Sequence, residues 1–236
     1  MAALLAFDTA TERLHIGLAV GADVWLHDSE GGARASSSLI PGLRGLLAEA
    51  RIGLRELDAI AFGRGPGAFT GLRTACSVAQ GLALGANRPV LSLDTLMAVA
   101  EDARTRAGLR DVWVAMDARM DEIYAAHYHW AEGAWRTVVA PALVTLEGLH
   151  ASWRERPPQA IAGTAPAAFG VRLEGGAAQI VGDARPVASA LLTCAQAAWS
   201  RGSATDAELA LPLYLRDRVA LTSEEREAAK VGRAGR

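Results

Sequence analysis

A short apolar run ending in aspartate, followed by a tight turn and a second apolar run, occurs twice in this 236-residue chain. Leu5-Ala6-Phe7-Asp8 is followed six residues after its aspartate by Leu14, which opens the next run. Val114-Ala115-Met116-Asp117 is followed at the same interval by Ile123-Tyr124-Ala125-Ala126. Two halves with one opening are what a duplicated fold shows. The repeat therefore predicts two lobes: residues 1–105, residues 106–222, and a charged, glycine-containing tail at 223–236.

The pattern within each half is α/β. Residues 14–20 and 24–27 flank the turn-prone Gly21-Ala22-Asp23 and read as an antiparallel meander. Leu39, Ile40, Leu43, Leu46, Leu47 and Ala50 then fall on one helical face. Ser36, Ser37 and Ser38 offer N-caps to that helix, with Pro41 in its first turn. Strands follow at 59–62 and 90–93, and helices at 70–85 and 96–106. In the second half, Glu132-Gly133 joins a hairpin of 123–130 and 134–139. A loop covers 154–158, a strand 160–162 and an Ala-rich helix 188–199.

Charge excludes a chain that grips RNA unaided. Such proteins carry a basic patch or a high pI, whereas the net charge here is −2 and lysine occurs once, at Lys230. Cys76 and Cys194 are too few for a disulfide framework, so reduced thiols in a cytoplasmic protein are expected. Asp8 ends the first apolar run too early for a signal peptide, and no uninterrupted apolar stretch is long enough for a membrane span.

Gly63-Arg64-Gly65-Pro66-Gly67-Ala68-Phe69-Thr70-Gly71-Leu72-Arg73 joins a strand to a helix. Two readings stand side by side. It is a tight turn that needs glycine for its backbone. Alternatively, it holds an anion through Arg64, Gly65, Gly67, Thr70 and Arg73, with Thr70 at the helix N-terminus. A Walker A loop is excluded because its lysine is missing. Gly63-x-Gly65-x-x-Ala68 fits a dinucleotide fingerprint, but Asp94 comes too late and the loop does not follow the first strand. The helix after the loop holds Gly71, Ala75, Ser77, Ala79, Gly81, Ala83 and Gly85. Each glycine costs about 1 kcal/mol relative to alanine. Close packing offsets that cost, either within the core or against a partner.

Metal and nucleophile signals are weak. Asp8 and Asp117 either hold magnesium at strand ends or are turn aspartates satisfied by backbone N–H groups. His127 and His129 share a strand face without the further ligands a zinc site needs. No H-x-x-x-H pair and no G-x-S-x-G elbow occurs. Cys76 reads as a packing residue of its helix.

Taken together, these segments resemble the TsaB (YeaZ) family. Phe7-Asp8-Thr9-Ala10-Thr11-Glu12, the glycine loop, Gln80-Gly81-Leu82-Ala83-Leu84-Gly85, Leu93-Asp94-Thr95-Leu96, Asp117-Ala118-Arg119-Met120 and Leu213-Tyr214-Leu215-Arg216 match it in order and spacing. The resemblance implies a duplicated ribonuclease-H-like fold of the actin and hexokinase type. It also implies a non-catalytic scaffold or activating subunit of the complex that forms N6-threonylcarbamoyladenosine beside the tRNA anticodon. The family's catalytic site lies in the paralogue TsaD, whose metal-binding H-x-x-x-H this chain lacks. The resemblance further implies a heterodimer with TsaD through the first two helices, joined by the ATPase TsaE. On that basis Leu39, Leu43, Leu46, Leu47, Thr70, Arg73, Ala75, Ala79 and Leu82 are expected at the partner surface, exposed in the monomer and used for a homodimer when the chain is alone. ATP and Mg2+ would serve the complex, tRNA would be met indirectly, and the chain would need no cofactor of its own. Many relatives have a histidine just before the first helix, where this chain has Ala35-Ser36-Ser37-Ser38.

The competing readings are a stand-alone ATPase or sugar-kinase-like phosphotransferase and a metallopeptidase. In actin-type enzymes the turn after the first strand of each half wraps phosphates, and close backbone approach favours glycine. The turns here, residues 8–12 and 117–121, contain none, and Ala162-Gly163-Thr164-Ala165 offers one where a pair is expected. The expectation is a chain with little or no ATPase, kinase or peptidase activity.

Overall fold

The computed structural model describes residues 2–216, so the expectation for the tail at 223–236 lies outside the described residues. Strands β1 (Leu4–Asp8), β2 (Arg13–Val20), β3 (Asp23–Glu30), β4 (Ala59–Gly65) and β5 (Val90–Asp94) form one sheet in the order β3-β2-β1-β4-β5. Strands β6 (Asp111–Asp117), β7 (Glu122–Ala131), β8 (Ala134–Thr145), β9 (Ala160–Ala162) and β10 (Gln179–Val181) form the other in the order β10-β9-β6-β7-β8. In both sheets the first three strands are an antiparallel meander and the last two run parallel to the first. Asp8 stands opposite His15 where Asp117 stands opposite Ile123. The two lobes are thus copies of one topology, as the repeat predicts.

Burial explains the strand compositions. β1 is covered on both faces and is fully buried, so it is apolar up to Asp8. β3 lies at an edge and alternates between half-buried and exposed positions.

Helices α1 (Ala35–Ala50) and α2 (Phe69–Ala86) pack on the first sheet. Their ends differ from the expectation. A 3-10 turn at Gly32–Arg34 leads into α1, Arg34 occupies the cap position, and the Ser37 hydroxyl donates back to the Arg34 carbonyl at 2.9 Å. Because α1 begins at Ala35, Pro41 sits in its second turn, not its first. Ala68, which has no capping side chain, precedes α2, and Thr70 is already inside the helix.

Helix α3 (Thr95–Ala107) joins the lobes. Its N-terminus is capped by Asp94, which accepts from the Leu96 N–H at 3.0 Å. Leu96, Val99, Ala100 and Ala103 pack against Val112, Val114, Met116 and Tyr128 of the second lobe. Its buried Glu101 accepts from Arg104 and from the Trp135 indole N–H at 2.9 Å. Helices α4 (Leu146–Glu155) and α5 (Ala165–Phe169) and strand β10 are additions to what the sequence pattern predicts, and the hairpin of β7 and β8 is longer.

Helix α6 (Ala188–Ser200) departs from the division at residue 105. It returns to the first lobe, where Leu191, Leu192, Ala195 and Ala198 pack on Leu4, Ala6, Ala59, Ala61, Leu91 and Leu93. Gly17 makes the approach feasible: a Cβ there would lie 2.7 Å from Leu192 Cγ. The boundary separates the two sheets but not the helices that cover them. Among the described residues, no helix is long and apolar enough to cross a membrane.

Candidate functional site

A cleft of about 550 Å³ opens between the lobes. Its walls come from the β1–β2 turn (Ala10, Thr11, Glu12), the β4–α2 loop (Pro66, Gly67, Ala68) and the start of α3 (Thr95, Leu96). The β6–β7 turn (Asp117, Ala118, Arg119), Tyr124 and Thr164 complete it.

Beneath the lining residues Ala10 and Thr95, Asp8 is fully buried and does not itself face the cleft. One carboxylate oxygen accepts from the Ala10 N–H at 2.6 Å and the other from the Thr95 hydroxyl at 2.7 Å. Thr95 in turn accepts from the Gly65 N–H at 3.2 Å. Burial raises the Asp8 pKa above the ordinary carboxylate value, against the lowering effect of these hydrogen bonds. Asp117 makes the equivalent turn bond, accepting from the Arg119 N–H at 2.9 Å, and its second oxygen pairs with the Arg119 side chain. Each aspartate therefore gives one oxygen to its own turn, and the other goes to Thr95 for Asp8 and to the Arg119 side chain for Asp117. Among the described residues, no three His, Cys, Asp or Glu side chains are placed to hold a metal ion. His127 and His129 both turn to Asp111, at 2.8 and 3.0 Å.

The glycine loop has a packing explanation. A Cβ on Gly63 would lie 1.7 Å from Asp8 Oδ2, one on Gly67 2.5 Å from the Ala10 carbonyl oxygen, and one on Gly71 1.9 Å from the Thr9 carbonyl oxygen. Ala68 N–H donates to the Ala10 carbonyl at 2.8 Å, and the Thr9 hydroxyl donates to the Gly71 carbonyl at 2.7 Å. The glycines press the loop onto the first turn. The five residues considered for an anion are not brought together. Gly67 lines the cleft, Gly65 gives its N–H to Thr95, and Arg64 and Thr70 are exposed outside it. Arg73 lies 4.0 Å over the Phe69 ring and donates to the Tyr214 hydroxyl at 3.1 Å.

On the outer side, the expected apolar patch lies inward. Leu39, Leu43, Leu46, Leu47, Ala75 and Ala79 are buried in the first lobe's core, and Leu82 is half-buried against it. Helical periodicity marks an apolar face without saying what covers it; here the first sheet does. The solvent face of the pair carries Ile40 and Leu84, 47% and 60% exposed, with Gly45, Ser77, Gly81 and Gly85. Apart from the backbone of their own helix, no described atom lies within 4 Å of where a Cβ would stand on Gly45, Gly81 or Gly85. Packing among the described residues therefore does not explain those glycines.

Contacts between the lobes were missed by sequence reasoning. Tyr128 donates to the half-buried Asp94 at 2.5 Å, and Tyr124 reaches the Gly67 carbonyl at 3.5 Å. Burial raises the Asp94 pKa and carries the Tyr128 hydroxyl well above its ordinary value. Arg119, Met120 and Asp121 have φ of 65, 55 and 61°, three successive left-handed residues without glycine. Each costs roughly 1–2 kcal/mol against the right-handed form. Thr95, Tyr128 and Arg216 carry no local pattern; only their order after familiar segments marks them.

Relatives share this architecture over nearly its whole length. A family model for TsaD, the tRNA N6-adenosine threonylcarbamoyltransferase, matches residues 27–171, more than half of the chain. The tRNA threonylcarbamoyladenosine biosynthesis protein TsaB of Escherichia coli strain K12 is 34% identical over 226 residues, covering 92% of this chain and 96% of its own. The chain belongs to the TsaB family. The TsaB of Haemophilus influenzae is 41% identical over 122 residues, 51% of each chain. YeaZ from Pseudomonas aeruginosa superposes with a TM-score of 0.81 at 36% identity, over 91% of this chain and all of its own. A second Pseudomonas aeruginosa structure, described as similar to the peptidase YeaZ, gives 0.85 at 38% identity over 92% of this chain. As a TsaB-family chain, the protein has the two-lobed actin-type fold, and its relatives carry the name of tRNA threonylcarbamoyladenosine biosynthesis proteins.

Proposed function

We propose that this chain is a non-catalytic scaffold or activating subunit of the cytoplasmic complex that forms N6-threonylcarbamoyladenosine in tRNA. It binds a TsaD chain as a heterodimer, TsaE joins that pair, and tRNA is met through the assembly. ATP and Mg2+ are used by the complex, and this chain holds neither. Alone, it forms a homodimer through the same helices.

The observation that carries this reading is the Gly63–Gly71 loop folded onto the Thr9-Ala10 backbone. An actin-type phosphotransferase instead needs a close backbone cradle for phosphate in the turn after the first strand of each half, and residues 8–12 and 117–121 hold no glycine to form one. The outer faces of α1 and α2 supply the partner surface in this reading. Small residues let a partner helix approach closely beside Ile40 and Leu84, and an exposed apolar patch marks such contacts. The core leucines support that face from beneath.

The test is co-purification and sedimentation with a TsaD chain. Gly81→Arg and Leu84→Glu are expected to abolish both heterodimer and homodimer while leaving the melting temperature within about 2 °C, as for ordinary surface substitutions. Unchanged association in both variants would remove α2 from the partner surface.

A further inference from the structure

The segment after α6 crosses from one lobe to the other. Leu213 N–H donates to the Arg64 carbonyl at 2.7 Å, and the Tyr214 ring packs 5.1 Å from Phe69. Arg73 closes this cluster by donating to the Tyr214 hydroxyl. Residues 213 and 214 thus belong to the first lobe. Two residues later the direction of attachment changes. Arg216 donates to the Ala118 carbonyl at 2.9 Å and pairs with the Glu122 carboxylate at 2.6 Å, with its side chain only 17% exposed.

Those two groups are the two ends of the left-handed β6–β7 turn. A strained turn of this kind persists where its surroundings hold it. Charge-assisted bonds from a planar guanidinium, partly shielded from water, are suited to that. Ala118 and Arg119 also line the interlobe cleft opposite Pro66 and Gly67. The lobes are also joined at α3, a packed helix with the Tyr128–Asp94 bond, and at the Tyr124–Gly67 contact. The strap is a lighter attachment: the Leu213–Arg64 backbone hydrogen bond, the Tyr214–Phe69 contact with its Arg73 bond, and Arg216.

We propose that residues 213–216 form a clasp that sets the separation of the lobes, with Arg216 as the residue that holds the second lobe to it. Without Arg216 the lobes remain joined at α3, the β6–β7 turn is released, and the cleft samples a wider range of openings. The clasp acts within one chain and does not depend on the partner assigned above.

The test uses the full chain with spin labels on cysteines introduced at the exposed positions Glu49 and Thr137, one on each lobe; the native Cys76 and Cys194 are buried. Arg216→Ala is expected to broaden the label–label distance distribution and to raise amide exchange at residues 118–122 about tenfold or more, a local opening that leaves the core protected. Arg216→Lys keeps the charge but not the fork and should fall between. If Arg216→Ala fails to fold, Glu122→Gln, which leaves every backbone bond in place, replaces it and should act in the same direction. An unchanged distribution with unchanged exchange in the folded variant overturns the proposal.

Discussion

Gly63 and Asp8 are shaped to one another: the Asp8 carboxylate occupies the place of the side chain that Gly63 lacks, 1.7 Å from where a Cβ would stand. Neither can relax, since β1 and β4 are hydrogen-bonded neighbours and Asp8 is held by Ala10 and Thr95. Gly63→Ala is therefore expected to destabilise by about 3 kcal/mol, the upper part of the range for overpacking. Combined with Asp8→Ala it should cost less than the sum of the two single changes, with a coupling of about 1–3 kcal/mol. Urea unfolding of the four proteins measures this, and strict additivity would contradict the fit.

Asp8, Asp94 and Asp28 give stability a pH dependence whose sign can be worked out. Asp8 and Asp94 have folded pKa values raised chiefly by burial. The folded protein holds their protons where the unfolded chain releases them, so stability falls as pH rises from about 4 through the raised values. Asp28 works oppositely. Burial raises its pKa, but the His15 hydrogen bond and charge bring it below the ordinary value overall. Its contribution is present above the unfolded pKa and is lost as pH falls through the folded one. Asp8→Asn should flatten the decline above about pH 4, even though it lowers stability by removing an acceptor. The check is the urea midpoint of both proteins between about pH 4 and pH 8.

Leu43 separates core from interface. Because it is buried, Leu43→Ala should cost about 2–5 kcal/mol of folding stability, whereas Leu84→Ala should cost within about 0.5 kcal/mol. Thermal or urea unfolding distinguishes them. Equal effects would mean that α1 does not sit on the first sheet as described.

Purified chain with ATP and magnesium should show no turnover above a protein-free blank. A rate that survives purification and falls on Asp8→Ala would make the chain an ATPase.

The repeat at Asp8 and Asp117 was enough to foresee both sheets, because strand, aspartate and turn are local and each aspartate caps the turn it begins. The amphipathic face of α1 was equally legible, except that Ile40, expected on it, stands 47% exposed on the opposite side. The neighbour of that face was not legible, since Leu39 and Leu43 show the same spacing whether a sheet or another protein covers them. The glycine loop could be read as a ligand site for a similar reason. Glycine at 63, 67 and 71 signals close approach without naming what approaches, and the answer, the backbone of Thr9 and Ala10, lies far away in sequence. Arg216 meets Ala118 across 98 residues, a separation at which no periodicity operates.

The return of α6 to the first sheet has a consequence for synthesis. As the chain leaves the ribosome, β1 to β5 emerge early, yet the face formed by Leu4, Ala6, Ala59 and Leu91 stays uncovered until Leu191, Leu192 and Ala195 arrive. The first lobe cannot complete its core as a separate unit, and a nascent chain stopped near residue 105 would present that bare sheet to water and chaperones alike.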